Sequence, residues 1–327
     1  MEGNPIESES LTGNVRGSLL SRQYHIVCPA AILTYIALQL LIGLQSGIGE
    51  PADNVGKGVY DFYCSGGTSF SISAIQQLIK IFECRLQSGI FRSSAAIFVA
   101  VFTVNVIAGS AFFLTYLMKY GGISTDVFGV VSTTPQWAEW LVSVPLMVYV
   151  TLAIEDKPAL TKRDKIVLGV FTCAIACGFL LNFREIGQPV GFVLFILGCC
   201  SITVNLFLDR AAYAIEFDVD VMDEITRGST VGSMSVASKQ KTLNRLFLLA
   251  FPFFPATHIA GHLKLLTRDQ VLIGFGMCSL VSKLLFAGSL YDTHTVFAHS
   301  SKVLRKKPGN LSNATTRENS QIVLESN

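Results

Sequence analysis

Long apolar runs, separated by short charged or Gly/Pro-containing stretches, dominate this 327-residue chain. A helix needs roughly 20 mostly apolar residues to cross a bilayer. Seven runs suit that length: 25–48, 94–119, 137–154, 165–183, 189–215, 243–263 and 269–291. The pattern predicts an all-α protein, a seven-transmembrane-helix bundle. The first run is too long for a signal-peptide core and lacks a small-residue cleavage site, so it is expected to stay in the chain. With the N-terminus outside and the C-terminus cytosolic, most loop lysines and arginines fall on the inner side, the orientation that positive charge favours. Residues 1–24 are then extracellular, 25–297 form the membrane domain and 298–327 a basic, disordered cytosolic tail.

Two connecting segments are long. In 49–93, Ile72, Ile75, Leu78, Ile79, Phe82 and Leu86 repeat at helical spacing, with Lys80, Glu83 and Arg85 off the stripe. Three charges in mid-helix are costly in lipid, so this segment is expected to be a cytosolic insertion carrying an interfacial amphipathic helix. Residues 216–242 begin acidic and become rich in Ser and Thr, as a solvated linker does. The sequons at Asn310 and Asn313 would face the cytosol and stay unused.

Composition agrees with a membrane class: 15% of residues are charged, against about a quarter in soluble domains, and mean hydropathy is +0.50. A net charge of +2 gives no support to nucleic-acid binding. Of eight cysteines, Cys28, Cys173, Cys177, Cys199, Cys200 and Cys278 sit inside apolar runs, which points to packing. Cys64 and Cys84 fall outside the runs.

An ionisable side chain inside a span is expensive and is by default a functional candidate. Two lie near mid-span, Glu139 in the third run and Lys283 in the seventh. They suggest an ion pair across the bundle, the plain alternative being a salt bridge that only sets helix register. A desolvated lysine amine in its neutral form condenses with aldehydes to a Schiff base. The resulting cation needs an anion, and Glu139 is the buried carboxylate on offer. Gln136, Glu139 and Ser143 share one helical face, and Ser279 sits one turn before Lys283 with Ser282 beside it. On the sixth run Phe251, Phe254 and His258 align, with Trp140 on the third; periodicity alone favours ordinary packing for such a stripe. Pro252 and Pro255 would bend that helix and free backbone carbonyls. His258 fits an internally hydrogen-bonded histidine at least as well as a proton carrier.

These residues resemble the microbial (type 1) rhodopsins over all seven runs. Glu139-Trp140-Leu141-Val142-Ser143-Val144-Pro145-Leu146 is similar to the family's carboxylate–Trp–Leu–x–Thr–x–Pro–Leu pattern, and Ser279 to Lys283 to its Asp–x–x–x–Lys. Phe251-x-x-Phe254-Pro255-x-x-His258 resembles its Trp–x–x–aromatic–Pro–x–x–Trp. The resemblance implies all-trans retinal bound covalently as a Schiff base to Lys283, with Glu139 as counterion and Trp140 against the polyene. It also implies that Gly178 leaves room for the ionone ring.

The departures carry their own implications. Gln136 stands where the family usually has arginine, Ser279 where it has a second carboxylate, and Val150 where pumps keep a proton donor. A proton pump needs an acceptor, an organised release path and a donor, so pumping is not expected. Glutamate at the counterion position resembles channelrhodopsins, which implies a light-gated ion channel in the plasma membrane and, as related channels are often dimers, a homodimer. The second run holds no acid but does hold Thr103, Asn105 and Ser110; with Gln136 these are candidate channel-lining residues. Uncharged polar walls suit a chloride-like anion better than a cation, although small polar residues also simply pack helices together. A lone, weak counterion implies red-shifted absorption. The alternative is a non-transporting sensory rhodopsin signalling through its cytosolic segments. The tail is too short for a catalytic domain, so no enzyme activity is expected.

Overall fold

The computed structural model describes residues 19–44, 50–51, 55–86, 92–117, 123–153, 159–183, 186–208 and 252–306. Among the described residues run eight helices: α1 (Leu19–Leu44), α2 (Lys57–Leu86), α3 (Arg92–Leu117), α4 (Thr134–Ala153), α5 (Lys162–Leu180), α6 (Gln188–Leu208), α7 (Phe253–His262) and α8 (Arg268–Lys306). Three short strands, β1 (Glu50–Pro51), β2 (Ile123–Thr125) and β3 (Val131–Thr133), pair antiparallel in the order β1-β2-β3.

Local chemistry sets several boundaries. Thr161 and Asp164 exchange side-chain and backbone hydrogen bonds and cap the start of α5. Thr267 and Gln270 make the same reciprocal pair before α8, with Thr267 N donating to Gln270 Oε1 at 2.9 Å. At the end of α7, Lys264 takes a positive φ of 57° and Leu265 N reaches back to the Ala260 carbonyl.

The core is apolar and aromatic, built around Trp140, Met147, Phe171, Phe275 and Phe286, with a second cluster around Tyr63, Phe70, Phe112 and Leu272. Large apolar side chains also face outward: Ile26, Leu33 and Leu40 on α1, Ile72, Ile75 and Ile79 on α2, Val190, Phe192 and Val193 on α6. Three described helices, over Arg22–Ile42, Ala95–Leu117 and Arg268–Gly288, are long and apolar enough to cross a membrane. An apolar core inside an apolar outer belt is what a lipid-embedded bundle requires.

The threading differs from the seven-run expectation. Segment 49–93 is not an insertion lying at one face: α2 runs 30 residues and packs along α3. β1 pairs Glu50 with Thr125 and Pro51 with Ser124, and Gly56 N donates to Asp269 Oδ1 at 3.2 Å. The start of α2 therefore sits beside the β2–β3 hairpin and the start of α8, at the end the sequence places opposite to it. The charges thought prohibitive lie near the far end of α2, where Lys80 and Glu83 pair at 2.8 Å and stay exposed. Its mid-helix hydroxyls are internally satisfied, Thr68, Ser69 and Ser71 each donating to the carbonyl one turn back. Gly66 and Gly67 allow close approach to α3, since a Cβ at Gly66 would stand 2.5 Å from the Phe112 ring. Cys64 and Cys84, expected outside the spans, belong to this helix.

Helix direction changes accordingly. Tyr149 near the end of α4 hydrogen-bonds Gln23 near the start of α1, while Gln39 donates to Pro135 O at 3.2 Å. Thus α1 runs antiparallel to α4. The α4–α8 contacts, Gln136 with Phe275 and Glu139 with Lys283, run parallel. The start of α1 and the far half of α8 consequently share one end of the bundle, where termini on opposite sides were expected; the extra helix inverts the parity. Residues 298–306, expected in a disordered tail, continue α8. Residues 1–18, 216–242 and 307–327, with both sequons, lie outside the described residues.

Candidate functional site

Helices α4 and α8 bring one acid and one base together in mid-bundle. Lys283 Nζ stands 2.8 Å from Glu139 Oε1, with the side chains 1% and 0% exposed. Helical spacing supplies their surroundings. Ser279, one turn before Lys283, accepts from Nζ at 2.7 Å and donates to Glu139 Oε2 at 3.3 Å. Ser143, one turn after Glu139, donates to Oε1. Ser282 donates to the Ser279 carbonyl at 3.0 Å, tying that turn of α8 together. A buried ion pair is tolerated only where its remaining hydrogen-bonding capacity is met, and here serine hydroxyls meet most of it.

Gln136, one turn before Glu139, closes the hairpin side. Its Nε2 donates to Phe275 O at 3.1 Å, and its Oε1 accepts from Thr133 at 2.9 Å and lies 3.0 Å from the Tyr63 hydroxyl. Tyr63 also stands 3.0 Å from the Leu272 carbonyl. An amide thus bridges α2, α4 and α8 where an arginine was the family expectation.

Aromatic rings cover the other flank. Trp140 lies edge-on to Phe254 with centroids 4.0 Å apart, and to Trp137 at 4.8 Å. Its Nε1 is buried without a hydrogen-bond partner. Beyond this layer a small apolar pocket of about 60 Å³ is lined by Trp137, Gly178, Phe195, Phe254, His258 and Phe275, among others. Pro255 also lines it. Val144 packs in the same core cluster as Trp140, and Pro145 lies inside α4. Gly178 makes room for a protein ring: a Cβ there would fall 2.3 Å from Trp137. Phe251 lies outside the described residues.

Of the expected channel-lining residues, Thr103, Asn105 and Ser110 lie on α3 and Gln136 on α4. Thr103 and Ser110 donate to carbonyls of α3 itself, at 2.9 and 2.7 Å. Asn105 donates to Ser73 on α2 at 2.9 Å. Each is spent on helix packing.

No protein-family model and no curated protein matches the chain. Solved structures do. The transmembrane domain and linker region of the Salpingoeca rosetta rhodopsin phosphodiesterase aligns with a TM-score of 0.64 at 12% identity, over 92% of this chain and 91% of that one. The thermophilic rhodopsin from Rubrobacter xylanophilus aligns at 0.55 and 14% identity, over 75% and 99%. Cyanorhodopsin from the cyanobacterium Tolypothrix aligns at 0.55 and 15%, over 76% and 100%. The chain has the microbial rhodopsin fold.

Within this rhodopsin fold, three contributors escaped sequence reading. Tyr63 was assigned to the interface with the rest of 49–93. Trp137 begins the third run, yet its ring packs against Trp140 and Phe275. Asp126 sits in the β2–β3 turn and meets His258 Nε2 at 2.6 Å, while its Oδ1 accepts from Phe128 N and Val130 N, both at 2.9 Å. An Asp three residues before Gly129, between two β-prone runs, is a turn signal that could have located it.

Proposed function

We propose that this chain is a retinal-based membrane photoreceptor in which Lys283 carries the chromophore and Glu139 balances its charge. The Lys283–Glu139 contact, dry and ringed by serines, carries the reading. The residues present fit retinal: an amine in mid-bundle, an aromatic layer formed by Trp140 and Phe254, and an apolar cavity beyond it. When bound, retinal supplies absorption of visible light and a light-driven change of shape at the lysine nitrogen. The protein's part is to hold that nitrogen away from water. Glu139 Oε1 is placed to stabilise a positive charge on Nζ or to take up a proton from it, and Ser279 and Ser143 orient the carboxylate.

For sidedness, we place the shared end of α1 and α8 in the cytosol. The end of α4 and the start of α5 fall at that end, with Lys162, Arg163 and Lys165. Eight crossings then leave both termini inside.

For output, we favour signalling through cytosolic segments without transport, because the polar side chains of α3 are engaged in packing. Light-gated conduction of a chloride-like anion is the second reading. It is favoured by the lack of acids on α3 and by neutral Gln136 and Ser279 beside the pair.

The test begins with purified full chain supplied with all-trans retinal. A visible band should form and be missing in Lys283→Ala; a coloured Lys283→Ala protein, or a well-folded wild type that never colours, would overturn the proposal. Whole-cell recording under illumination separates the outputs. Absence of photocurrent from coloured protein supports signalling, and passive current reversing at the chloride equilibrium potential establishes the channel.

A further inference from the structure

Helix α1 adds a side chain to the site. Its register against α4 follows from the two hydrogen bonds already described, Gln23 with Tyr149 and Gln39 with Pro135. The helices are antiparallel, so one turn back from Gln39 along α1 faces one turn forward from Pro135 along α4. Those positions are Tyr35 and Glu139. Packing agrees: Tyr35 clusters with Val142, one turn beyond Glu139, and with Ile107 and Ala111 of α3. Tyr35 is only 5% exposed.

Among the described residues the buried Tyr35 hydroxyl has no hydrogen-bond partner. Gln39, one turn on along α1, gives its Nε2 to Pro135 O and does not meet the Tyr35 hydroxyl at hydrogen-bond geometry. A buried phenol hydroxyl is rarely left without a partner. Across from it, Glu139 is unevenly served. Oε1 takes Lys283 and Ser143, whereas Oε2 has a single long bond from Ser279 at 3.3 Å. A carboxylate oxygen accepts two hydrogen bonds. A donor and an under-used acceptor thus sit at matching positions on two packed antiparallel helices.

We propose that Tyr35 is a positioning residue of the site, its hydroxyl donating to Glu139 Oε2 through one bridging water. This rests on the reading of Lys283 and Glu139 as the working pair, and it makes α1 part of the chromophore environment rather than a peripheral anchor. The other groups facing Glu139 are Lys283 on α8 and, through Gln136, Tyr63 on α2. The α3 helix carries no charge beyond Arg92 at its start.

The experiment is isotope-edited infrared spectroscopy of the retinal-free full chain in lipid nanodiscs, with the Glu139 carboxylate band assigned by its loss in Glu139→Gln. Tyr35→Phe, which removes only the hydroxyl, should move that band, and wild type in H₂¹⁸O should show a shifted water O–H band that Tyr35→Phe lacks. Ile107→Val, which alters the same packing cluster, should leave the carboxylate band in place. If Tyr35→Phe folds poorly, 3-fluorotyrosine at position 35, a stronger donor of nearly the same shape, should move the band in the opposite sense. An unmoved band in Tyr35→Phe, or an equal displacement in Ile107→Val, overturns the proposal. Because retinal is not needed, failure of the pigment to form would count against the photoreceptor reading alone.

Discussion

Among the described residues two buried acid–base pairs sit in this bundle, and they are built differently. Glu139–Lys283 joins two long helices in mid-bundle and relies on serine hydroxyls, with no backbone donor to either oxygen among the described bonds. Asp126–His258 lies at the hairpin end, and there the backbone holds the acid: Phe128 N and Val130 N both bind Asp126 Oδ1, leaving Oδ2 for the histidine. His258 is further fixed by stacking on Phe195 at 5.1 Å and by edge contact with Phe128. A carboxylate anchored by amides has one geometry and serves as a fastener. A carboxylate held by rotatable hydroxyls can follow a change in its partner. The chemistry of the surroundings, more than burial, separates the pair proposed to work from the other.

The largest effect that sharpens this contrast is at Lys283. Lys283→Ala should lose the visible band and, by stranding Glu139, cost about 3–5 kcal/mol of stability. Lys283→Met combined with Glu139→Gln should recover most of that loss in thermal unfolding. Next, Glu139→Gln should keep a pigment but move its absorption to longer wavelength, since the counter-charge is gone; an unchanged spectrum would mean that another group balances the chromophore. At the other pair the order reverses. Asp126→Ala should cost about 2 kcal/mol, measured by unfolding, because two amides and a histidine lose their acceptor, yet leave the colour in place. A large colour change there would erase the distinction. The smallest effect belongs to Tyr63→Phe, about 1 kcal/mol, with the spectrum close to wild type because Gln136 keeps its bonds to Thr133 and Phe275.

Much of this was legible in the chain, and the failures share a cause. Lys283, Glu139, Ser279 and Ser143 could be placed together because helical spacing puts them on facing stripes and because charge in lipid is rare. The α2 helix was not legible as a full-length element because Lys80, Glu83 and Arg85 read as costly mid-helix charges, and its Ser, Thr and Gly residues lower its hydropathy. Only the structure reveals that those hydroxyls satisfy themselves within the helix and that the glycines seat Phe112 and Phe113. Missing that helix reversed α1, which in turn hid Tyr35 from Glu139. Gly178 illustrates a subtler limit: its need for space was readable, but Trp137 as the occupant was not.

The length of α8 has a mechanical consequence. Lys283 sits partway along a continuous 39-residue helix that ends at Lys306. The stretch between them spans about 35 Å at helical rise, so a tilt of about 5° pivoting near Lys283 would sweep the far end through about 3 Å. Such a rod is a lever, converting a small angular disturbance at a buried nitrogen into displacement large enough for another molecule to feel.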